Sequence, residues 1–358
     1  MKIGFDGRYA EGNLVGVGKY IKYLIQNISL KEECIIFYSK APEYSIKDKN
    51  IRSVILPTND NFIFEQILVP RALKKYKVKL YHATGNAGIP IFSRVKSILT
   101  VHDIIPLEVE NYFAYSKFPI LSKYLYMFKL YSSCLKAKKI VSESEYTMKQ
   151  LIKIGISADK ISMIRLGINI FPVELTKKYI SGNYILNNGG IDIRKNLERL
   201  ISAFAIVHKK LPKLKLVITG ENKTAMIELK NLVNKLKLND FVIFTGYAND
   251  SDMASLLKYA KCLCYPSLIE GFGFPILEAF SYGVPVISSN TSSIPEIVKN
   301  AAILVNPKNE KQIAGAILKV LKDNKLANEL RRLGLERVKD FSWRKTANEY
   351  LDLYHRLK

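Results

Sequence analysis

A chain of 358 residues, 48% hydrophobic and 11% aromatic, is too long for one ordinary core and too apolar for a disordered tether. Its formal net charge of +23 leaves three readings: nucleic-acid binding, attachment to an anionic membrane, or a lysine-rich background composition. Four cysteines without C-x-x-C spacing, no signal-like segment and no apolar run of bilayer length predict a cytoplasmic protein with buried free thiols.

Short β-branched runs alternate with helical patterns along the whole chain, which is the signature of βαβ units and parallel sheets. First-half strands are predicted at Met1–Phe5, Cys34–Tyr38, Ile51–Leu56, Leu80–His82, Ser97–Val101 and Lys139–Ser142. Helices between them include Gly18–Asn27, Glu65–Lys75 and Ser144–Ile154. The first loop carries NLVGVGKY, residues 13–20, where Gly16 and Gly18 are placed to bring backbone amides to a phosphate. The full G-x-G-x-x-G dinucleotide fingerprint is absent, which argues against a simple NAD-dependent dehydrogenase.

The strand ending at Val101 runs into His102-Asp103. Two roles are open for His102: touching a ligand hydroxyl, or a structural ring held by Asp103. His82, also at a strand end, has the same two readings. The other two histidines, His208 and His355, are scattered on helices, so no metal cluster can be assembled and no metal site is expected. From Asn111 to Ser142 there is no acidic residue, while Lys117, Lys123, Lys129, Lys136, Lys138 and Lys139 stand among eight tyrosines and phenylalanines. Such a segment suits an anionic leaflet; a buried aromatic helix pair with a solvated lysine face is the competing reading.

The pattern loosens after Ile161 and restarts at Tyr184, which puts the domain boundary between Gly167 and Gly182. Second-half strands are predicted at Tyr184–Asn187, Lys215–Thr219, Val242–Thr245, Cys262–Tyr265, Val284–Ser288 and Ala302–Val305. Helices are predicted at Asn196–Lys210, Thr224–Leu236, Asp252–Lys258, Pro275–Tyr282, Ile294–Lys299 and Glu310–Asp323, with a last helical pattern at Trp343–Leu357. The turn NNGGIDIRKN, residues 187–196, places Gly189-Gly190 before Arg194 and Lys195, at a helix start that favours anions. Arg as a fork and Lys as a point charge form a diphosphate clamp there; two solvated loop cations are the alternative. Asp250-Ser-Asp252 has the spacing of a D-x-D metal site, but a helix N-cap is the better reading.

The most informative segment is PSLIEGFGFPILE, Pro266 to Glu278, which leaves a strand and opens a helix. Gly271 and Gly273 allow close backbone approach, and Pro275 suits a first helical turn. Glu270 lies at the strand exit and Glu278 one turn inside the helix, where a carboxylate can bridge two ribose hydroxyls. Free N–H groups above it can face a sugar or phosphate.

Taken together, GVGKY, TVHD, VSESEYT, GGIDIRKNLERLISAF, FTGYANDSD and PSLIEGFGFPILEAFSYGVPVISSNTSSIPEIV resemble the two-domain retaining glycosyltransferases of family 4. The mannosyltransferase-like members that build lipopolysaccharide and other surface glycans match best, and the resemblance runs from Met1 to Trp343. It implies the α/β GT-B fold, two Rossmann-like domains with parallel sheets facing across a cleft. An acceptor domain would span 1–170 and a nucleotide-sugar domain 171–340, with a C-terminal helix in 341–358 returning to the first domain. By this resemblance Glu278 binds the ribose, Arg194 and Lys195 the diphosphate, and Glu270 with the Gly271, Phe272 and Gly273 backbone the donor sugar. Gly16 and its neighbours would close over the phosphates, His102 would contact the sugar, and the Tyr247–Ala248 backbone would meet the base.

The expected activity is thus metal-independent, retaining hexosyl transfer without a cofactor, using GDP-mannose first and a UDP-sugar next. The acceptor would be a glycan or a lipid-linked glycan, and an anionic inner-membrane surface a further partner. Rival readings are a glycogen- or sucrose-type synthase, a GT-B-fold epimerase or phosphorylase, and a basic nucleic-acid-binding protein. The chain is short for such synthases, and no recognition-helix, RNP or zinc signature supports the last.

Overall fold

The structure is a computed structural model that describes all residues except 13, 15, 45, 111, 115, 170–178, 222 and 358 and the side chains of 223 and 224. The chain divides into two compact units, Met1–Gly167 with Phe341–Lys358, and Ile168–Asp340. The boundary expected at 170/171 lies outside the described residues.

Unit 1 is built on seven strands: β1 (Lys2–Asp6), β2 (Glu33–Tyr38), β3 (Ile51–Ile55), β4 (Leu80–Ala83), β5 (Lys96–Val101), β6 (Lys139–Ser142) and β7 (Ile161–Met163). Their order is β3-β2-β1-β4-β5-β6-β7, with every pairing parallel. Unit 2 repeats the plan with β8 (Tyr184–Asn187), β9 (Lys215–Ile218), β10 (Val242–Phe244), β11 (Leu263–Tyr265), β12 (Val286–Ser289) and β13 (Ala302–Val305). Its order is β10-β9-β8-β11-β12-β13, again parallel throughout. Parallel strands are covered by helices on both faces, which is why runs such as ECIIFY read as continuous apolar stretches rather than alternating ones. In both sheets the strand order reverses, between β1 and β4 and between β8 and β11. Loops at the carboxyl ends of the reversing strands are where open α/β sheets bind ligands.

The last helix, Trp343–Arg356, belongs to unit 1. Its apolar stripe of Ala347, Tyr350, Leu351 and Tyr354 is buried, as periodicity requires. The Tyr350 hydroxyl meets those of Tyr20 and Thr100, each at 3.0 Å, and the Tyr354 hydroxyl lies 2.7 Å from His82 Nδ1. Burial and the neighbouring His102 lower the His82 pKa to about 3, so this ring is a neutral structural member of the core.

Three expectations need correction. The segment after Ile161 contains β7, a three-residue strand too short to show a period. A helix at Asn324–Arg337, capped by Asp323, was not predicted; only Leu330, Gly334 and Arg337 are buried on it, so its apolar stripe is too thin to read. The cap of the Asp250–Tyr259 helix is Asn249, whose side chain accepts from Asp252 N–H, while Asp250 and Asp252 occupy the first turn. The lysine and aromatic segment folds largely as one helix, Pro119–Lys136. All four cysteines are free and buried.

Candidate active site

Asn187 ends β8 and Tyr265 ends β11, on the two sides of the unit 2 switch point. Beyond β8 the chain passes so close to β11 that a Cβ on Gly189 would stand 2.5 Å from the Tyr265 ring. Gly190 then takes φ +77, a left-handed conformation that glycine adopts without strain. Asp192 accepts from Arg194 N–H at 3.0 Å and opens a 3₁₀ turn, Ile193–Lys195, ahead of the Leu197–His208 helix. The turn is fastened to the loop after β11 by two contacts. Asn196 Nδ2 donates to Pro266 O at 3.0 Å, and Leu268 N–H donates to Arg194 O at 2.7 Å.

This scaffold aims both cations at one carboxylate. Arg194 Nη1 donates to Glu270 Oε2 at 2.8 Å and Lys195 Nζ to Glu270 Oε1 at 2.6 Å. The Tyr265 hydroxyl, 2.5 Å from Lys195 Nζ, donates to the same Oε1 at 2.7 Å. Lys195, Tyr265 and Glu270 are buried, and Arg194 is partly open to solvent. Burial works to raise the Glu270 pKa, but Lys195 and Arg194 outweigh it and hold the carboxyl below its ordinary value. Burial and the Glu270 charge drive the Tyr265 phenol well upward, so it serves as a neutral donor.

Gly273, at φ +121, caps the Phe274–Ser281 helix with Pro275 in its first turn. Ser293 Oγ donates to the carbonyls of Glu270 and Phe272 at 2.9 and 3.0 Å, and Ser292 Oγ accepts from Glu270 N–H at 2.9 Å. The Gly271–Phe272–Gly273 loop is thereby fixed and buried. One turn into the helix, Glu278 Oε2 accepts from Asn188 Nδ2 at 3.0 Å. Glu278 thus reaches the β8 turn from one side while Glu270 grips Arg194 and Lys195 farther along it. Asn188 Oδ1 is buried and has no protein partner among the described residues.

Tyr247 and Ala248 follow β10, and the Tyr247 N–H is already given to Glu221 Oε1 at 3.3 Å. Gly246 bridges Gly220, and a Cβ on Gly220 would lie 2.5 Å from Gly190 Cα. Gly190, Gly220 and Gly246 therefore form a continuous strip across the ends of β8, β9 and β10.

The unit 1 candidates behave differently. Gly16 caps the Val17–Ile28 helix, and its neighbours 13 and 15 lie outside the described residues. Gly18 lies within that helix, where a Cβ would be 2.7 Å from Tyr9 O. That close approach requires a glycine there for packing, whatever its backbone N–H faces. The partner of His102 is Glu143 rather than Asp103: Nδ1 is 2.7 Å from Glu143 Oε1, and Nε2 is 2.8 Å from Thr84 O. Burial opposes the imidazolium, but the Glu143 carboxylate and the Thr84 carbonyl raise the His102 pKa above its ordinary value. Both ring nitrogens face protein acceptors, and neither acceptor is Asp103, which corrects the partner named in the structural reading.

Sequence reasoning singled out the charged residues and passed over their neighbours Tyr265, Asn188, Ser292, Ser293 and Glu143. Each is a polar residue at or just beyond a strand end, or in the following loop, and that position was the available signal.

The family described as "Glycosyl transferases group 1" matches residues 176–337, and that described as "Glycosyltransferase Family 4" matches residues 16–170. The O-antigen chain mannosyltransferase B of Escherichia coli is 27% identical, over 99% of this chain and 99% of its own. Among solved structures, Anabaena HepE in complex with UDP and glucose has a TM-score of 0.82 at 15% identity, covering 99% of this chain and 100% of that one. A sucrose-phosphate synthase from Thermosynechococcus elongatus has a TM-score of 0.81 at 20% identity, covering 99% and 98%.

Proposed function

From the premise that the chain belongs to the group 1, family 4-type glycosyltransferases and has the GT-B fold, we propose that it moves a hexose from a nucleoside diphosphate sugar to a surface-glycan acceptor. Mannose from GDP-mannose, passed to a lipid-linked or O-antigen-type glycan, is the favoured form; likeness to the E. coli mannosyltransferase supports it. A UDP-sugar is the next donor, supported by the UDP and glucose bound to HepE. The observation that carries the reading is the Glu270 carboxylate clasped by Arg194 and Lys195, with Glu278 tied to Asn188 at the same turn.

In this proposal Arg194 and Lys195 receive the diphosphate, and Glu278 accepts from the ribose hydroxyls beside the buried Asn188 Oδ1. Glu270 and the Gly271–Gly273 backbone hold the sugar. When the bond from the anomeric carbon to the diphosphate breaks, its electron pair goes to the phosphate oxygen. Two preorganised cations in a buried site meet that charge, the kind of stabilisation that contributes most to catalysis. The acceptor hydroxyl attacks the same face, its proton passes to the departing phosphate oxygen, and configuration is retained. Because side-chain cations carry the charge, no divalent metal is required. The His102 ring is held in place by Glu143 and Thr84.

The test is a transfer assay with GDP-mannose, UDP-glucose and UDP-galactose on mannosylated lipid-linked acceptors, with and without EDTA. The expected outcome is one donor consumed, an NMR coupling in the product that shows retention, and an unchanged rate with chelator. Transfer from none of the donors would remove the reading. A rate lost to EDTA and restored by Mg²⁺ or Mn²⁺ would overturn its metal-free step.

A further inference from the structure

A helix on a soluble domain turns its apolar stripe inward. The Pro119–Lys136 helix buries Leu130 and Cys134, yet its opposite face is also apolar. Ile120 is 75% exposed, Tyr124 and Phe128 are each 64% exposed, and Leu121, Leu125 and Leu135 are exposed beside them. Ile120, Tyr124 and Phe128 recur at every fourth position with Leu121 and Leu125 alongside, so they form one stripe rather than scattered residues.

Charge identifies what this stripe faces. Lys117, Lys123, Lys136 and Lys138 are exposed around it, Lys129 is half-buried on its rim, and no acidic residue occurs from Tyr112 to Ser142. A second copy of the chain docking by the same stripe would set these lysines against their own equivalents, which like-charge repulsion opposes. No helix among the described residues is long and apolar enough to cross a membrane. We infer that this helix lies on an anionic phospholipid surface. The aromatic and aliphatic side chains enter the headgroup boundary, and the lysines face lipid phosphates. The inference stands apart from the sugar-transfer proposal, because it needs neither donor nor acceptor.

Flotation of the full chain with phosphatidylcholine vesicles, with and without phosphatidylglycerol, tests it. The chain should bind the phosphatidylglycerol vesicles selectively and release them as salt rises. Each basic residue near the surface is worth about fivefold in binding, so Lys129→Gln with Lys136→Gln should weaken it about 25-fold. Tyr124→Ser with Phe128→Ser should abolish flotation and leave the melting temperature unchanged, because both side chains are exposed. Equal binding to both vesicle types, or variants that float like the parent, would overturn the inference. A parent chain that ignores lipid but self-associates, and becomes monomeric with Tyr124→Ser and Phe128→Ser, would overturn it in favour of a second copy.

Discussion

Replacing Arg194 or Lys195 by alanine is expected to lower kcat by roughly two to three orders of magnitude, the usual loss when one preorganised charge-stabilising donor is removed. The two variants should differ in stability. Arg194 is partly exposed, and its removal leaves Glu270 paired with Lys195 and Tyr265. Lys195→Ala leaves a buried carboxylate with one cation and an empty space against Tyr265, and breaking a buried pair from one side costs roughly 3–5 kcal/mol. Arg194→Ala should therefore retain the parent melting temperature and lose turnover, whereas Lys195→Ala should lose both. Steady-state kinetics at saturating donor, paired with thermal denaturation, separates the two effects. Near-parent turnover in Arg194→Ala would remove the diphosphate clamp.

The second large effect concerns the core of unit 1. Tyr354→Ala should destabilise unit 1 by at least about 4 kcal/mol, because truncating a buried aromatic costs roughly 3–5 kcal/mol and orphaning the His82 nitrogen costs roughly 1–3 more. At roughly 2–4 °C per kcal/mol for a unit of this size, the unit 1 transition should fall by at least about 8 °C. Tyr354→Phe keeps the ring and should show only the smaller, hydrogen-bond part. A Tyr354→Ala protein that melts within a degree or two of the parent would mean that the last helix is not part of the unit 1 core.

What the sequence made legible follows from length scale. The parallel strands are dense in Ile, Val and Leu, so Lys139–Ser142, Tyr184–Asn187 and Ala302–Val305 match their predicted bounds. The Glu270, Glu278, Arg194 and Lys195 set was visible because glycine turns flank it and because Pro275 marks a helix start. The pairing within that set was not visible. That Glu270 meets Arg194 and Lys195, while Glu278 meets Asn188, depends on the β8 and β11 loops meeting across a sheet, a contact that no local period encodes. The His102 error has the same origin. Asp103 is adjacent in sequence, whereas Glu143 arrives from the end of the neighbouring strand β6. The packing need at Gly18 was equally hidden, because G-x-G before a helix is ambiguous and the close Tyr9 carbonyl comes from a separate turn.

Calorimetric titration of GDP, or of UDP if the parent prefers it, into the parent, Arg194→Ala and Glu278→Ala proteins addresses diphosphate and ribose recognition together. Loss of a charge-assisted hydrogen bond is worth about 1.5–3 kcal/mol, so each variant should bind at least roughly tenfold more weakly than the parent. Equal affinity in all three proteins, or a parent that binds no nucleoside diphosphate, would contradict the assignment of these side chains to the donor.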